Sequence, residues 1–383
     1  MVRTPSLIVI FSGVAFSGVQ RSAKGLAQAL SNHSPVLFVD PTASTRSGNP
    51  ASWATKIQLQ PRLARISPNL YHLPSIALPG HSRVGLRSVA RSALIWRVRQ
   101  AIAEIGVGDP RAVFLQTPQV DLLGSLGEAI SVYWATDSFT AGSTLMGVDA
   151  GALARAELSA SSQADVVIAV SEHIASIWRA RGKAVFVVKN GVAASETPPA
   201  NRTRPDDLTV TRPISGVVGT ISSRLDFSIL HAVAEAGISI AIVGPSAFRT
   251  DPTEFEALCS RPNVDWTGAK PHHELINYYQ HVDVGLVPYT LSEFNRASAP
   301  LKPLEYLAWG LPVVSTDLPG VAAIDSPDIA LVDSKDEFVD ATRRAIKVSK
   351  AAELIERRHT HARLWSWDER AKDVLSVLEE MSL

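Results

Sequence analysis

Short apolar runs alternate with helical patterns along the whole chain. In the first half the runs fall at residues 7–11, 36–40, 112–116, 132–135, 166–170 and 184–188. Each is brief and rich in Val, Ile, Leu or Phe, which predicts strands buried on both faces. Between them, amphipathic patterns predict helices over 20–30, 150–162 and 172–181. Strand, helix, strand in repetition predicts a parallel sheet covered on both sides. The pattern breaks over 195–213, where Pro198, Pro199, Pro205 and Pro213 interrupt a polar stretch, as in a linker. It restarts with strands predicted at 214–219, 239–243, 264–266, 284–287, 312–315 and 329–332. Helices are predicted between and after them at 225–236, 254–259, 273–281, 301–309 and 335–347.

The expected fold class is therefore α/β, with two doubly wound Rossmann-like domains facing across a cleft. The N-terminal domain would span 1–194, the linker 195–213 and the C-terminal domain 214–364. Residues 365–383 form a last segment with a helix predicted at 368–381. Its apolar face (Ala371, Val374, Leu375, Leu378) could pack back on the N-terminal domain or on the other. Ligands of such sheets bind outside the carboxyl ends of the strands, so chemistry is sought in those loops.

Composition narrows the class. A chain of 383 residues fits two domains of this size. With 46% hydrophobic and 19% charged residues, disorder and coiled coil are excluded. One cysteine, Cys259, excludes an internal disulfide framework and a multi-cysteine zinc site. Burial as a small apolar side chain is its expected role. The apolar run at 7–11 is too short for a signal-peptide core or for a membrane span of ~20 residues, so a cytoplasmic chain is expected. The net charge of zero hides an asymmetry: residues 1–195 carry 18 Lys and Arg against 10 Asp and Glu, residues 196–383 carry 19 against 27. The basic half favours an anionic surface or substrate, and the acidic half argues against nucleic acid as partner.

Three loops carry candidate chemistry. The first strand runs into SGVAFSGVQR, where Gly13 and Gly18 flank a turn containing Phe16. Such a turn before a helix can present N–H groups to an anion, yet it lacks the G-x-G-x-x-G and Gly-Lys-Ser/Thr patterns. The second domain opens with VVGTISSRLDFSIL. Gly219 allows close backbone approach, Thr220 lies in the polar turn, and Arg224 can fork onto a phosphate. Asp226 reads as a first-turn helix residue rather than a ligand. The densest constellation is SAPLKPLEYLAWGLPVVST, which starts at Ser298. Lys302 and Glu305 share one helix face. A lysine there can neutralise phosphate oxygens and a carboxylate can accept a ribose diol; a plain surface ion pair is the alternative. His272 and His273 are adjacent and point about 100° apart on a helix, so they do not share a metal ion easily. No D-x-D stands near the dense motif, and no metal site is expected.

The stretch from Ser298 resembles the donor-nucleotide motif of GT-B glycosyltransferases of the family 4-like group. VGLVPY upstream of it, VKNGV and VSEHIASIW in the first half, and FVDPT, YWATDSF, VVGTIS and the late Ser366-Trp367 extend the resemblance over nearly the whole chain. These motifs are similar to those of teichuronic-acid-type and xanthan glucuronosyltransferase-like enzymes. The resemblance implies a nucleotide-diphospho-sugar donor, expected to be UDP-linked, and a glycan or lipid-linked sugar acceptor. It assigns Lys302 to the pyrophosphate and Glu305 to the ribose, with Gly219, Thr220 and Arg224 flanking the phosphates. Pro288 and Tyr289 would lie close to the base or donor sugar, and Ser298 and Leu301 belong to the same donor motif. Gly13, Phe16 and Gly18 would meet the acceptor. Retaining members carry two Glu separated by seven residues; the earlier position here is Ala297, and Glu293 lies too far upstream. An inverting transfer is therefore expected, with Asp137, after the strand ending at Ala135, as the base that takes the acceptor proton. A turn or helix-cap role is its alternative. Asp121 is the weaker alternative for the base, and is read rather as capping or starting a helix after Thr117-Pro118.

Residues 83–99 are basic and apolar in turn. Arg83, Arg87 and Arg91 follow i, i+4 spacing, with Arg97 beyond them and Trp96 beside the apolar positions. This pattern predicts a basic amphipathic helix that docks on an anionic membrane surface, placing the protein at the inner face of the plasma membrane. The rival readings are a nucleotide-sugar 2-epimerase and a non-catalytic glycosyltransferase-like binding partner.

Overall fold

A computed structural model describes residues 7–17, 22–41, 62–75, 86–118, 121–193, 203–247 and 252–382. The chain divides into two compact units: Met1–Lys189 with Arg370–Leu383, and Asn190–Glu369.

The first unit begins with β1 (Ile8–Phe11), α1 (Ser22–Leu30), β2 (Val36–Val39) and the pair β3 (Ala64–Ser67) and β4 (Leu70–Leu73). It continues with α2 (Leu86–Ile105), β5 (Ala112–Leu115), β6 (Ile130–Ala135), α3 (Ser143–Met146), α4 (Ala150–Gln163), β7 (Val166–Ala169), α5 (Glu172–Arg179) and β8 (Val185–Val187). The sheet order is β3-β4-β2-β1-β5-β6-β7-β8, parallel throughout except for the antiparallel β3–β4 pair. β1, β2, β5, β6 and β7 are buried along their whole length, which is why they read as unbroken apolar runs.

The second unit holds β9 (Ile214–Val218), α6 (Phe227–Glu235), β10 (Ser239–Val243), α7 (Pro252–Cys259) and β11 (Val264–Trp266). A 3-10 turn (His272–Glu274) leads into α8 (Leu275–Tyr279), followed by β12 (Val284–Val287), α9 (Glu293–Ala297), α10 (Lys302–Ala308) and β13 (Val313–Thr316). The unit closes with α11 (Pro319–Ala322), β14 (Ile329–Val332), α12 (Lys335–Val348) and α13 (Ala352–Arg363). The final helix, α14 (Trp367–Glu380), begins here, and its residues from Arg370 onward count with the first unit. All six strands are parallel, in the order β11-β10-β9-β12-β13-β14. This is the doubly wound order, in which the chain reverses direction between β9 and β12.

At that reversal the two strands part. β9 and β12 pair only at Val284 with Ser215 and Gly285 with Gly216. Beyond this the hydroxyl of Tyr306, on α10, enters between them. Its Oη accepts from Val218 N at 2.9 Å and donates to Gly216 O at 3.1 Å. The ring is fully buried and lies against Gly285, where an added Cβ would stand 2.2 Å from it. Tyr306 thus wedges the crevice open and fixes α10 beneath it.

Several sequence expectations change. Residues 203–213, read as linker, pack into the second unit: Leu208 and Val210 are buried, and Asp265 accepts from the N–H groups of Thr209 and Val210 at 2.5 and 2.8 Å. Among the described residues no helix lies between Thr117-Pro118 and β6; residues 121–129 are turns and irregular backbone. Cys259 is half-buried, and burial pushes its thiol pKa up to about 11.

Candidate functional site

The loops after β9 and β12 are stitched together at the carboxyl edge of the second sheet. Leu225 and Tyr289 form a two-residue bridge, Asp226 N donates to Pro288 O at 2.7 Å, and Thr290 N donates to Arg224 O at 2.8 Å. This stitching presents the Arg224 side chain. Its Nε donates to Asn295 Oδ1 at 2.8 Å and its Nη2 to Ser298 Oγ at 3.3 Å. The guanidinium carbon lies 4.7 Å from the centre of the Tyr289 ring and 5.1 Å from that of Phe294. A guanidinium held on its edge and on its faces is a fixed positive plane, suited to phosphate oxygens. Asp226 caps α6 by accepting from Ser228 N at 3.0 Å, the first-turn role expected of it.

Lys302 and Glu305 project from α10 into the same neighbourhood. Lys302 Nζ donates to Glu305 Oε2 at 2.5 Å, and the Tyr279 hydroxyl donates to the same oxygen at 2.8 Å. Burial opposes ionisation of Glu305, but Lys302 and the Tyr279 hydroxyl outweigh it, so the carboxyl titrates below its ordinary range. Gly219, at φ +143°, lets the lysine stem pass: an added Cβ would stand 3.3 Å from Lys302 Cε. Gly244, at φ +150°, packs on the carbonyl of Gly219, 1.8 Å from where its own Cβ would be. Neither position accepts a side chain without moving the turn.

Of the expected donor residues, Arg224, Tyr289 and Ser298 form one contact group around Asn295, and Lys302 and Glu305 form a second with Tyr279. Thr220 is exposed in the turn, and Leu301 precedes α10 with its carbonyl bonded by Glu305 N at 3.0 Å. Pro288 is buried and serves through its carbonyl. Ala297 is fully buried at the end of α9. Asn295, Tyr279 and Tyr306 were not singled out from sequence: Asn295 lies in the mixed stretch SEFNRAS and the tyrosines in helical patterns, where no letter marks a partner distant in the chain.

In the first unit, the loops at the carboxyl ends of β1, β5 and β6 carry Gly13, Gln116 and Asp137. Gly13 N donates to Gln116 Oε1 at 2.9 Å, Val14 N to Ser12 Oγ at 3.1 Å and Phe16 N to Asp40 Oδ1 at 2.8 Å. These N–H groups are therefore already bonded, to Ser12 within the loop and to Gln116 and Asp40 of neighbouring loops, and the carboxylate of Asp40 takes one N–H that an anion was expected to meet. The Phe16 ring stacks on His72 with centroids 5.0 Å apart, and Lys24 Nζ lies 4.8 Å from its centre. His72 Nε2 stands 3.0 Å from Asp40 Oδ2. Gly18 lies outside the described residues. Asp137 is half-buried in the loop after β6, and the N-caps of the two helices that follow, α3 and α4, are Gly142 and Asp149. That loop is anchored by the buried Glu157 of α4, which accepts from Thr140 Oγ1 at 2.5 Å and Thr140 N at 3.2 Å. Burial, then the neighbouring Glu157, raises the Tyr133 pKa well above its usual value, so this hydroxyl stays protonated.

On α2 the apolar positions divide: Leu94, Val98 and Ala101 are buried, while Val89 and Trp96 are exposed, Trp96 by 66%. Arg91 donates through Nε to Asp121 O and through Nη2 to Ser125 Oγ at 2.7 Å, so it ties a loop to the helix. Arg97 is half-buried, and desolvation lowers its pKa. Arg83 and the side chain of Arg87 lie outside the described residues. Among the described residues no helix is long and apolar enough to cross a membrane, and no three His, Cys, Asp or Glu side chains are grouped to hold a metal ion.

Residues 225–347 match the family model of the glycosyl transferases group 1. The chain is 31% identical over 192 residues to a Bacillus subtilis (strain 168) protein named "Putative teichuronic acid biosynthesis glycosyltransferase TuaH". That alignment spans 48% of this chain and 48% of the relative, so the chain matches about half the relative's length. The structure resembles sucrose-phosphate synthase from Thermosynechococcus elongatus, with a TM-score of 0.70 and 16% identity over 98% of this chain and 99% of that one. It also resembles the Anabaena Alr3699/HepE protein in its complex with UDP, with a TM-score of 0.61 and 13% identity over 98% and 100%. The fold is GT-B, and the match to the group 1 glycosyltransferase model falls within the second unit, as does the Ser298 motif.

Proposed function

We propose that this GT-B chain is a glycosyltransferase. It moves a sugar from a nucleotide-diphospho-sugar, with UDP as the expected nucleotide, to a hydroxyl of a lipid-linked or cell-envelope glycan. The observation that carries this reading is that Arg224, in the loop after β9, and the Lys302–Glu305 pair, which approaches Gly219 at the end of β9, both stand at the reversal point of the second sheet, where doubly wound folds bind ligands. Two cations would take the diphosphate, and the carboxylate would take the ribose. The group 1 match supports a glycosyltransferase, and the UDP complex of the Anabaena neighbour supports the nucleotide class.

In the proposed reaction Asp137 accepts the proton of the acceptor hydroxyl as its oxygen attacks the anomeric carbon. The bond from that carbon to the diphosphate breaks, and the charge released on the diphosphate is held by Lys302 and Arg224. Attack opposite the leaving group inverts the anomeric centre. The buried Ala297, where retaining relatives carry their first carboxylate, supports inversion. The two protein cations support a reaction without a metal at the leaving group. The exposed Trp96 and Val89 support docking of α2 on an anionic membrane at the cytoplasmic face, with Arg97 beside them.

Thermal unfolding against UDP, GDP, ADP, dTDP and CMP, without added metal, tests the donor reading. A ligand at 100 times its Kd stabilises by about 2.7 kcal/mol. One nucleotide should raise the melting temperature, and Lys302→Ala and Glu305→Ala should abolish the rise. No shift with any nucleotide would end this reading.

A further inference from the structure

We propose that Tyr279 is a positioning residue for nucleotide recognition, holding one oxygen of the Glu305 carboxylate so that the other is presented to the diol of a ribose. The inference rests on the donor-site reading above.

Two donors meet on a single oxygen. The Tyr279 hydroxyl and Lys302 Nζ both donate to Oε2 of Glu305, at 2.8 and 2.5 Å, and they stand 3.5 Å from each other. Among the described residues nothing donates to Oε1. A carboxylate has about four acceptor positions, so Oε1 keeps its full capacity for hydroxyl donors.

The two donors differ in what happens when a diphosphate arrives. Lysine is a mobile point charge on a flexible stem, free to turn toward phosphate oxygens. Tyr279 has no such freedom. Its ring is 4% exposed, stacks on Trp309 with centroids 5.7 Å apart and planes at 12°, and meets the edge of Tyr306 at 5.9 Å and 77°. A hydroxyl on a ring fixed from two sides has one place to be. Tyr279 therefore remains on Oε2 after Lys302 has moved, and the carboxylate keeps its orientation. Burial, and after it the charge of Glu305, raises the tyrosine pKa well above its usual value, so the group stays a donor at any working pH. A tyrosine present only to fill the core would give stability without affecting which sugar the nucleotide carries.

Equilibrium titration separates these roles without any need for the acceptor. The probes are UDP, ADP and GDP, their 2′-deoxy counterparts, and inorganic pyrophosphate. The proteins are the parent, Tyr279→Phe and Glu305→Gln. The parent should prefer the ribonucleotide by about tenfold, the scale of one hydrogen bond to a charged group. Tyr279→Phe should cut that preference to roughly threefold or less, with pyrophosphate affinity unchanged, and Glu305→Gln should lose it as well. Full preference retained in Tyr279→Phe, with only a lower melting temperature, would overturn the inference while leaving the donor site intact. Equal binding of ribo- and deoxynucleotide by the parent would remove the ribose role of Glu305, and the inference with it. No binding of any nucleotide by the parent would overturn the donor reading itself.

Discussion

Arg224 and Asn295 hold each other: the guanidinium Nε donates to Oδ1 at 2.8 Å, and Nδ2 donates back to the carbonyl of Arg224 at 3.1 Å. The same amide nitrogen reaches the carbonyl of Thr290 at 2.9 Å, so one fully buried side chain joins the loops after β9 and β12. Asn295→Ala should cost about 1–3 kcal/mol, because it leaves a buried carbonyl short of its donor. Nucleotide affinity should fall as well, since Arg224 loses the contact that aims it. Denaturant unfolding and nucleotide titration on the same variant measure the two effects.

The Lys302–Glu305 pair should leave a pH signature. The folded pKa of Glu305 lies below its ordinary value, so the folded state binds its proton less readily than the unfolded chain does. The stability this supplies is complete above the ordinary glutamate pKa of about 4.3 and is lost as pH falls through the lower folded value. Glu305→Gln should therefore lower the melting temperature near neutral pH, and the gap from the parent should close on acidification. A gap that stays constant with pH would mean that the loss comes from packing.

Asp137→Asn should lower the transfer rate by about 10²–10⁴-fold, the usual contribution of a general base, while nucleotide affinity stays unchanged. Glu157→Gln should cost less. Its amide oxygen can still accept from Thr140, though the NH₂ group beside it cannot accept from Tyr133, which now stands 3.4 Å from Oε1. Steady-state rates with a fixed acceptor would rank the two.

Arg358 and Asp328 form a buried pair that the site depends on indirectly. Arg358 has no exposed surface, bonds Asp328 Oδ1 at 3.0 Å and donates to the carbonyl of Gly310, just past the end of α10, at 2.9 Å. Arg358→Ala should destabilise by about 3–5 kcal/mol, because a buried carboxylate loses a partner. Arg357, bound to the same carboxylate but 48% exposed, should cost at most about 1 kcal/mol on removal. Calorimetric unfolding separates the two arginines.

Trp96→Ala should weaken binding to vesicles containing anionic lipid and leave nucleotide affinity untouched. Equal vesicle binding by parent and variant would remove α2 as the docking surface.

Two elements show where sequence reading stops. The β3–β4 pair was missed because β3 is a half-exposed edge strand reading ARIS, with no apolar run to mark it. Helix α13 was missed because AELIERRHTHAR has little apolar periodicity, and the residue it buries most deeply is Arg358. A charged side chain paired in the interior cannot be told from an exposed one by its letter. The site shows the same limit. Arg224 was legible as a charge in the turn after Gly219, and Lys302 and Glu305 as charges three apart on one helix face. Asn295 and Tyr279, which bond them, carry no such mark, because an amide in a mixed stretch and a tyrosine in a helical pattern are ordinary there.

The sequence by itself determined the strands buried on both faces, the break between two α/β halves and the charged residues of the second half's turns. Those features depend on local composition and on the period of the apolar positions, which neighbouring residues set. Only the tertiary structure decided that residues 203–213 are packed rather than free, that Arg91 serves a loop, and that Tyr306 parts β9 from β12. Each depends on a partner distant in the chain: Asp265 for Thr209, Asp121 for Arg91, Val218 for Tyr306. A hydrogen bond of this kind leaves no period in the sequence, because what selects the residue is the geometry of the group it meets.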